Sequence, residues 1–225
     1  MTGQRAKKKG LPVGSPFRYS ITGAKTMATM RLFWAVTLPK DVRDRLAIVQ
    51  SSFRKLPLDV KWVEVENFHL TLRFLGDTDR AMVDSLLAVA KERLGELLPF
   101  TLILRGVGVF PSLRQPRVLW VGVERALPLF NLHHLLEEAL RQLGFPPEAK
   151  RFSPHITLGR FRTGANTGLL EEAIKELGTA EVAQVNVIGI ALIASELTPK
   201  GPVYTPVGRV NFNLAAGQNR SPTSV

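Results

Sequence analysis

The tetrapeptides HLTL and HITL, beginning at His69 and His155, set one pattern at equivalent places in the two halves of a 225-residue chain. Around each, the hydrophobic periodicity runs in one order: strand, helix, H-[LI]-T-L strand, helix, long strand. In the first half, RLFWAVTL reads as a buried strand, and Pro39 and Asp41 open a helix reaching about Leu56. VKWVEV is a short strand that leads into FHLTLRFL; Gly76 and Asp77 stop that strand and cap a helix over 78–98, and FTLILRGVGVF follows as a long strand. In the second half, RVLWVGVE is a strand, 128–143 an amphipathic helix, RFSPHITLGRF a strand and 169–177 a short helix. VAQVNVIGIALIASEL reads as one long strand, followed by GPVYTPVGRVNF. A duplicated unit of this kind predicts an α+β fold whose antiparallel sheets carry helices on one face.

Side chains alternate faces along a strand, so His69, Thr71 and Arg73 are expected on one side of FHLTLRFL and Leu70, Leu72 and Phe74 on the other. His155 and Thr157 share a face in the same way. Each copy therefore offers an imidazole and a hydroxyl about 7 Å apart. If a pseudo-twofold axis relates the halves, the two pairs face each other across a cleft wide enough for one phosphate. Phosphodiester hydrolysis needs a base for water and an acid for the leaving oxygen, and histidine's ordinary pKa allows one imidazole of each kind near neutrality. Threonine hydroxyls can donate to the non-bridging oxygens. A single strand histidine is more often structural. Two of only four histidines landing in this pattern by chance is an event on the order of one in 10,000 at ordinary composition.

The other two histidines, His133 and His134, lie in LFNLHHLLEEAL and read as helix-surface residues. There are no cysteines, which excludes disulfides, thiolate catalysis and cysteine-held metals. No metal site or cofactor is expected, since H-x-x-x-H and H-E-x-x-H spacings are missing. No apolar run approaches the roughly 20 residues of a membrane span, so no membrane partner is expected. The net charge is +11, of which six charges lie in residues 1–29, without any acidic residue there. A basic surface favours polyanions. Residues 1–29 lack periodicity and are expected to be a disordered basic extension, with Met27 or Met30 as an alternative start. The domain is expected over 30–213, with 214–225 a flexible tail.

Beyond the tetrapeptides, the stretches RLFWAVTLP, ENFHLTLRFLGD, GVGVFPSLRQPRVLWVGV, LGFPPEAKRFSPHITLGR and SELTPKGPVYTPV resemble the two-histidine (2H) phosphoesterases, most closely their RNA 2′,3′-cyclic phosphodiesterases, also called 2′-5′ RNA ligases. The resemblance implies a bilobal fold with the H-x-T-x strands lining a basic central cleft. It implies metal-independent opening of an RNA 2′,3′-cyclic phosphate to a 2′-phosphomonoester, with reversible 2′-5′ ligation as a companion activity. By position, His69 resembles the proton donor, His155 the proton acceptor, and Thr71 and Thr157 the phosphate-holding hydroxyls. Arg160 matches a basic position of this subgroup, although strict alternation puts it on the wrong face unless Gly159 bulges the strand. Arg73 is a candidate for a flanking phosphate or a structural ion pair. Phe33, Trp34 and Tyr204 are candidates for base stacking. Arg114 and Arg117 are candidates for the cleft mouth. RNA ends bearing a 2′,3′-cyclic phosphate are the expected partner, with small cyclic nucleotides, or a non-catalytic RNA- or nucleotide-binding module, as alternatives. A monomer in the cytoplasm is the default expectation.

Overall fold

The computed structural model describes residues 28–162, 167–199 and 201–213. The expected extension over 1–29 lies almost wholly outside them, as does the expected tail over 214–225. The elements are β1 (Thr29–Thr37), α1 (Lys40–Arg54), β2 (Val60–Trp62), β3 (His69–Asp79), α2 (Val83–Leu94), β4 (Phe100–Phe110), β5 (Val118–Val123), α3 (Leu127–Gln142), β6 (His155–Phe161), α4 (Thr167–Leu177), β7 (Glu181–Val187), β8 (Gly189–Thr198) and β9 (Gly201–Asn211). The fold is α+β, as expected. Among the described residues no helix is long and apolar enough to cross a membrane.

All the strand pairs are antiparallel, in the order β7-β4-β5-β6-β3-β1-β8-β9, with β2 added to β6. Two four-strand groups, β7-β4-β5-β6 and β3-β1-β8-β9, meet where β3 touches β6 through the single pair Leu70↔Ile156. The two H-x-T-x strands are thus neighbours at the centre of the sheet. Each long strand leaves its own half of the chain: β4 pairs with β5, and β8 returns to β1.

One sheet face carries the main apolar core. Leu32, Trp34 and Val36 of β1, Leu70 and Leu72 of β3, Leu119 and Val121 of β5, and Ile156 and Leu158 of β6 are buried there. The helices bring matching stripes: Val42, Leu46 and Phe53 from α1, Leu86, Ala90 and Leu94 from α2, and Leu129, Leu132, Leu136 and Leu140 from α3. Spacings of three, four and seven residues keep each set on one side of its helix. Trp34, a stacking candidate from the sequence, belongs to this core and has no exposed surface. The opposite face carries a smaller cluster of Phe33, Ala35, Ala191 and Ile193, with Tyr204 packed against it.

Three local expectations are corrected. Gly76 does not end its strand, and no helix begins at 78: β3 continues to Asp79 because β1 reaches back to Thr29 and supplies partners as far as Thr29↔Asp79. Gly76 instead takes a positive φ of 72° where Leu75 is passed over, between the pairs Leu32↔Gly76 and Phe33↔Phe74. The Asp79 carboxylate then accepts from the Ala81 N–H and caps a short turn ahead of α2. The long apolar run after α4 is two strands, not one. It breaks at the half-exposed Ile188, so that β7 serves one edge of the sheet and β8 the other group. VKWVEV is strand only over β2; a single 3-10 turn over Val65–Asn67 then delivers the chain to His69.

Candidate active site

Leu70 and Ile156 are buried on the helix side where β3 and β6 touch, so the residues flanking them project the other way. His69 and Thr71 lie on one strand and His155 and Thr157 on the next, all half-buried. Carried one residue either way from the single Leu70↔Ile156 pair, antiparallel register points His69 toward Thr157 and Thr71 toward His155. The two histidines are then diagonal neighbours, with Cα atoms on the order of 8 Å apart.

Both imidazoles are held alike. His69 Nδ1 lies 2.7 Å from the Asn67 carbonyl, and His155 Nδ1 lies 2.7 Å from the Ser153 carbonyl. A carbonyl only accepts, so Nδ1 carries the proton in each ring and Nε2 is the acceptor nitrogen of the neutral imidazole. Nε2 of His69 is 3.0 Å from Thr71 Oγ1. The 3-10 turn, which replaces the expected end of the VKWVEV strand, is what positions Asn67 to do this.

The site holds both histidines below their ordinary pKa. For His69 the main cause is burial, opposed by the Asn67 carbonyl and reinforced by the positive charges of His155 and Arg160. For His155 it is again burial, opposed by the Ser153 carbonyl and reinforced by Arg160. Aromatic rings supply much of that enclosure. Phe33 and Tyr204 lie 4.9 and 5.2 Å from the His69 ring, and Phe110 meets His155 edge-on at 5.0 Å.

Simple alternation fails just after each threonine, and the failure shapes the cleft. In β3 the register slips between Trp34↔Arg73 and Ala35↔Thr71, with Leu72 passed over. Arg73 therefore turns to the helix side, where it is buried, and Phe74 turns to the cleft, where it is half-exposed. Arg73 Nε pairs with Glu137 at 2.6 Å, and its guanidinium also reaches Glu148 and the Pro146 carbonyl. Of the two roles open to Arg73, the geometry is that of the ion pair; it does not border the cleft. In β6 the slip falls between Leu119↔Gly159 and Trp120↔Thr157, with Leu158 passed over. This is the bulge that Arg160 required, and it brings the guanidinium to the cleft. A Cβ at Gly159 would collide with Val60 and Trp62, so only glycine fits there. Gln50, buried on α1, steadies the turn by donating to the Val63 carbonyl at 2.8 Å and the Leu158 carbonyl at 2.9 Å.

The resulting cavity has a volume of about 860 Å³. His69, Thr71, Thr157 and Arg160 border it, with His155 two positions before Thr157 on the same face of β6. One side is aromatic and aliphatic, from Phe33, Phe74, Leu197, Val203 and Tyr204. The other is cationic, from Arg54, Lys61 and Arg162, with the Trp62 indole beneath Arg54 at 5.3 Å. Phe74, Lys61 and Trp62 do not stand out in the sequence. The available signal is the spacing from the histidine, since Phe74 and Arg160 each stand five residues beyond theirs. Arg114 and Arg117 are exposed and do not border the cavity. Among the described residues, one group has the composition of a metal site: His133, Glu137 and Glu148, behind β3. His133 is half-buried and stacks on Phe152 at 4.0 Å. The Arg73 guanidinium already occupies the carboxylates of that group.

Residues 36–120 and 121–204 each match the LigT like phosphoesterase family, so the match falls once on each half. The chain is a LigT-like phosphoesterase. It is 38% identical to the RNA 2′,3′-cyclic phosphodiesterase of Methanothermobacter thermautotrophicus over 78% of this chain and 95% of that one. It is 39% identical to the protein of the same name from Aeropyrum pernix, over 71% and 90% of the two chains. Among solved structures, a protein of Thermus thermophilus superposes with a TM-score of 0.71 at 33% identity, over 83% of this chain and all of that one. LigT of E. coli complexed with 3′-AMP superposes with a TM-score of 0.67 at 26% identity, over 83% and 99%. The match of LigT-like phosphoesterase to each half in turn agrees with the duplicated order of elements.

Proposed function

We propose that this LigT-like phosphoesterase hydrolyses the 2′,3′-cyclic phosphate at an RNA end to a 2′-phosphomonoester. The observation that carries the proposal is the pair of Nδ1-anchored histidines set diagonally across the Leu70↔Ile156 contact, with Arg160 turned toward them. The names of the relatives in M. thermautotrophicus and A. pernix, and the 3′-AMP bound by LigT of E. coli, support the same substrate class.

In this reading the cyclic phosphate lies between the two H-x-T-x strands. Nε2 of neutral His155 takes a proton from water as its oxygen bonds to phosphorus. The P–O3′ bond breaks, and Nε2–H of protonated His69 delivers its proton to the departing 3′ oxygen. Thr71, Thr157 and Arg160 donate to the non-bridging oxygens, where negative charge stays through the transition state. Burial favours the neutral form of both imidazoles in the free enzyme. The bound phosphate anion favours the protonated form of His69, so the acid is armed when substrate arrives. With an RNA 5′-hydroxyl in place of water, the same step forms a 2′-5′ linkage, and its reversal exchanges the roles of the two histidines.

The test is product analysis on an oligoribonucleotide ending in a 2′,3′-cyclic phosphate, in EDTA, with wild type, His69→Ala and His155→Ala. Wild type is expected to yield only the 2′-phosphate, and each variant to lose roughly 10²–10⁴-fold in rate. Binding without turnover by wild type, or variants as active as wild type, would sink the proposal.

A further inference from the structure

The second half has no counterpart to β2. Where α1 is followed by a short strand, α3 is followed by 143–154 without one, and β2 pairs only with the far end of β6. This extra strand sets Lys61 directly across from Arg160, as Cα partners. Directly opposed residues share a face, so two exposed cations stand side by side at the cavity border. Neither makes an ion pair among the described residues. Like charges so placed repel, and an anion between or beside them relieves the repulsion. Arg162 borders the cavity from just beyond the end of β6; its backbone N–H donates to the Asp59 carbonyl at 2.9 Å, and its guanidinium meets the Asp59 carboxylate at 3.4 Å where both side chains are exposed. The row of cations therefore runs from Arg160, beside the histidines, outward through Lys61 to Arg162. Trp62, capped by Arg54, lies next to that row. A cavity of about 860 Å³ is large for the single nucleotide that the histidines require.

We infer that Lys61 and Arg162 form a second phosphate subsite, for the phosphodiester on the 5′ side of the nucleotide that carries the cyclic phosphate. The inference rests on the proposed reaction and adds a preference: polynucleotide ends over free cyclic mononucleotides. The ligand class is a ribonucleic acid with at least two residues. Arg160 serves the reacting phosphate, and β2 supplies the charge for the next one.

Three substrates test it: a nucleoside 2′,3′-cyclic phosphate, a dinucleotide ending in the same group, and that dinucleotide with an uncharged methylphosphonate linkage. Wild-type kcat/KM is expected to be at least about tenfold higher for the charged dinucleotide than for the other two, the scale of one charge-assisted contact. In Lys61→Gln combined with Arg162→Gln that ratio collapses toward one, and Lys61→Arg in place of Lys61→Gln restores part of it. Equal wild-type rates on the three substrates overturn the subsite while leaving the reaction standing. So does a double variant that loses the mononucleotide and the dinucleotide in the same proportion. If wild type turns over none of the three, the reaction itself is wrong.

Discussion

The two H-x-T-L copies begin alike and end differently. Both anchor histidine through a carbonyl two residues upstream, and both bulge at the leucine that closes the tetrapeptide. After the bulge, the first copy sends Arg73 to the core and Phe74 to the cleft. The second sends Gly159 inward and Arg160 to the cleft. One shared backbone device thus places an aromatic ring on one side of the paired histidines and a cation on the other. The arginine of the first copy is not lost to the site. It ties β3 to Glu137 and to the loop at 146–148 that leads toward Ser153 and His155. Duplication gives two imidazoles held in one way; the difference at these two positions makes the two sides of the cleft unlike.

Breaking the shared part should cost most, as the loss of either histidine tests. Next comes the unshared cation. Arg160→Ala is expected to lower kcat roughly 10²-fold, the usual consequence of removing a donor to transition-state charge. Phe74→Ala, at the equivalent place, should act mainly on KM. Equal effects on kcat would mean that the two positions do the same work. Gly159→Ala examines the bulge itself, because its Cβ has no room beside Val60 and Trp62. We expect about 1–3 kcal/mol of destabilisation by chemical denaturation, and a fall in kcat for the molecules that remain folded. Alanine accommodated without either change would show that Arg160 reaches the cleft by another route.

Arg73→Met should behave as a stability variant. It strands the mostly buried Glu137 carboxylate, at a cost of about 3–5 kcal/mol, and Glu137→Gln in the same chain should recover part of it. A loss of kcat with unchanged denaturation midpoint would instead place Arg73 in the chemistry. The smallest effect is in pH. Both histidines are depressed in the free enzyme, so the kcat/KM optimum should lie below the ordinary histidine pKa of about 6.5. The kcat optimum, governed by the phosphate-bound state, should lie higher. Arg160→Ala removes one of the depressing charges and should raise the kcat/KM limbs by a fraction of a unit. The same depression links to folding. Depressed histidines contribute no loss above about pH 6.5, and stability falls as pH drops from there toward their folded values. An optimum for kcat/KM well above 7 would contradict the burial.

The histidine and threonine faces were legible because period two holds over HLT and HIT, where a polar side chain alternates with an apolar one. The outward turn of Arg160 was legible as a condition, through Gly159. The inward turn of Arg73 was not: HLTLRFL alternates polar and apolar residues with no sign of a bulge until its last two positions. That bulge comes from the register with β1, a strand some forty residues earlier. Lys61 and Trp62 were hidden for a related reason, since a three-residue strand has too few alternations to declare its partner.

The sequence by itself determined which groups the cleft offers: two imidazoles and two hydroxyls on polar faces, apolar stripes to back them, and a duplicated order that makes the pairs equivalent. Tertiary structure alone decided how the halves exchange β4 and β8, where the apolar run parts at Ile188, and which residue after each tetrapeptide meets the cleft. Local patterning sets which side chains avoid water, and it acts over a few residues. Partner, register and bulge are set by packing between strands far apart in the chain, where a slip of one residue reverses a face.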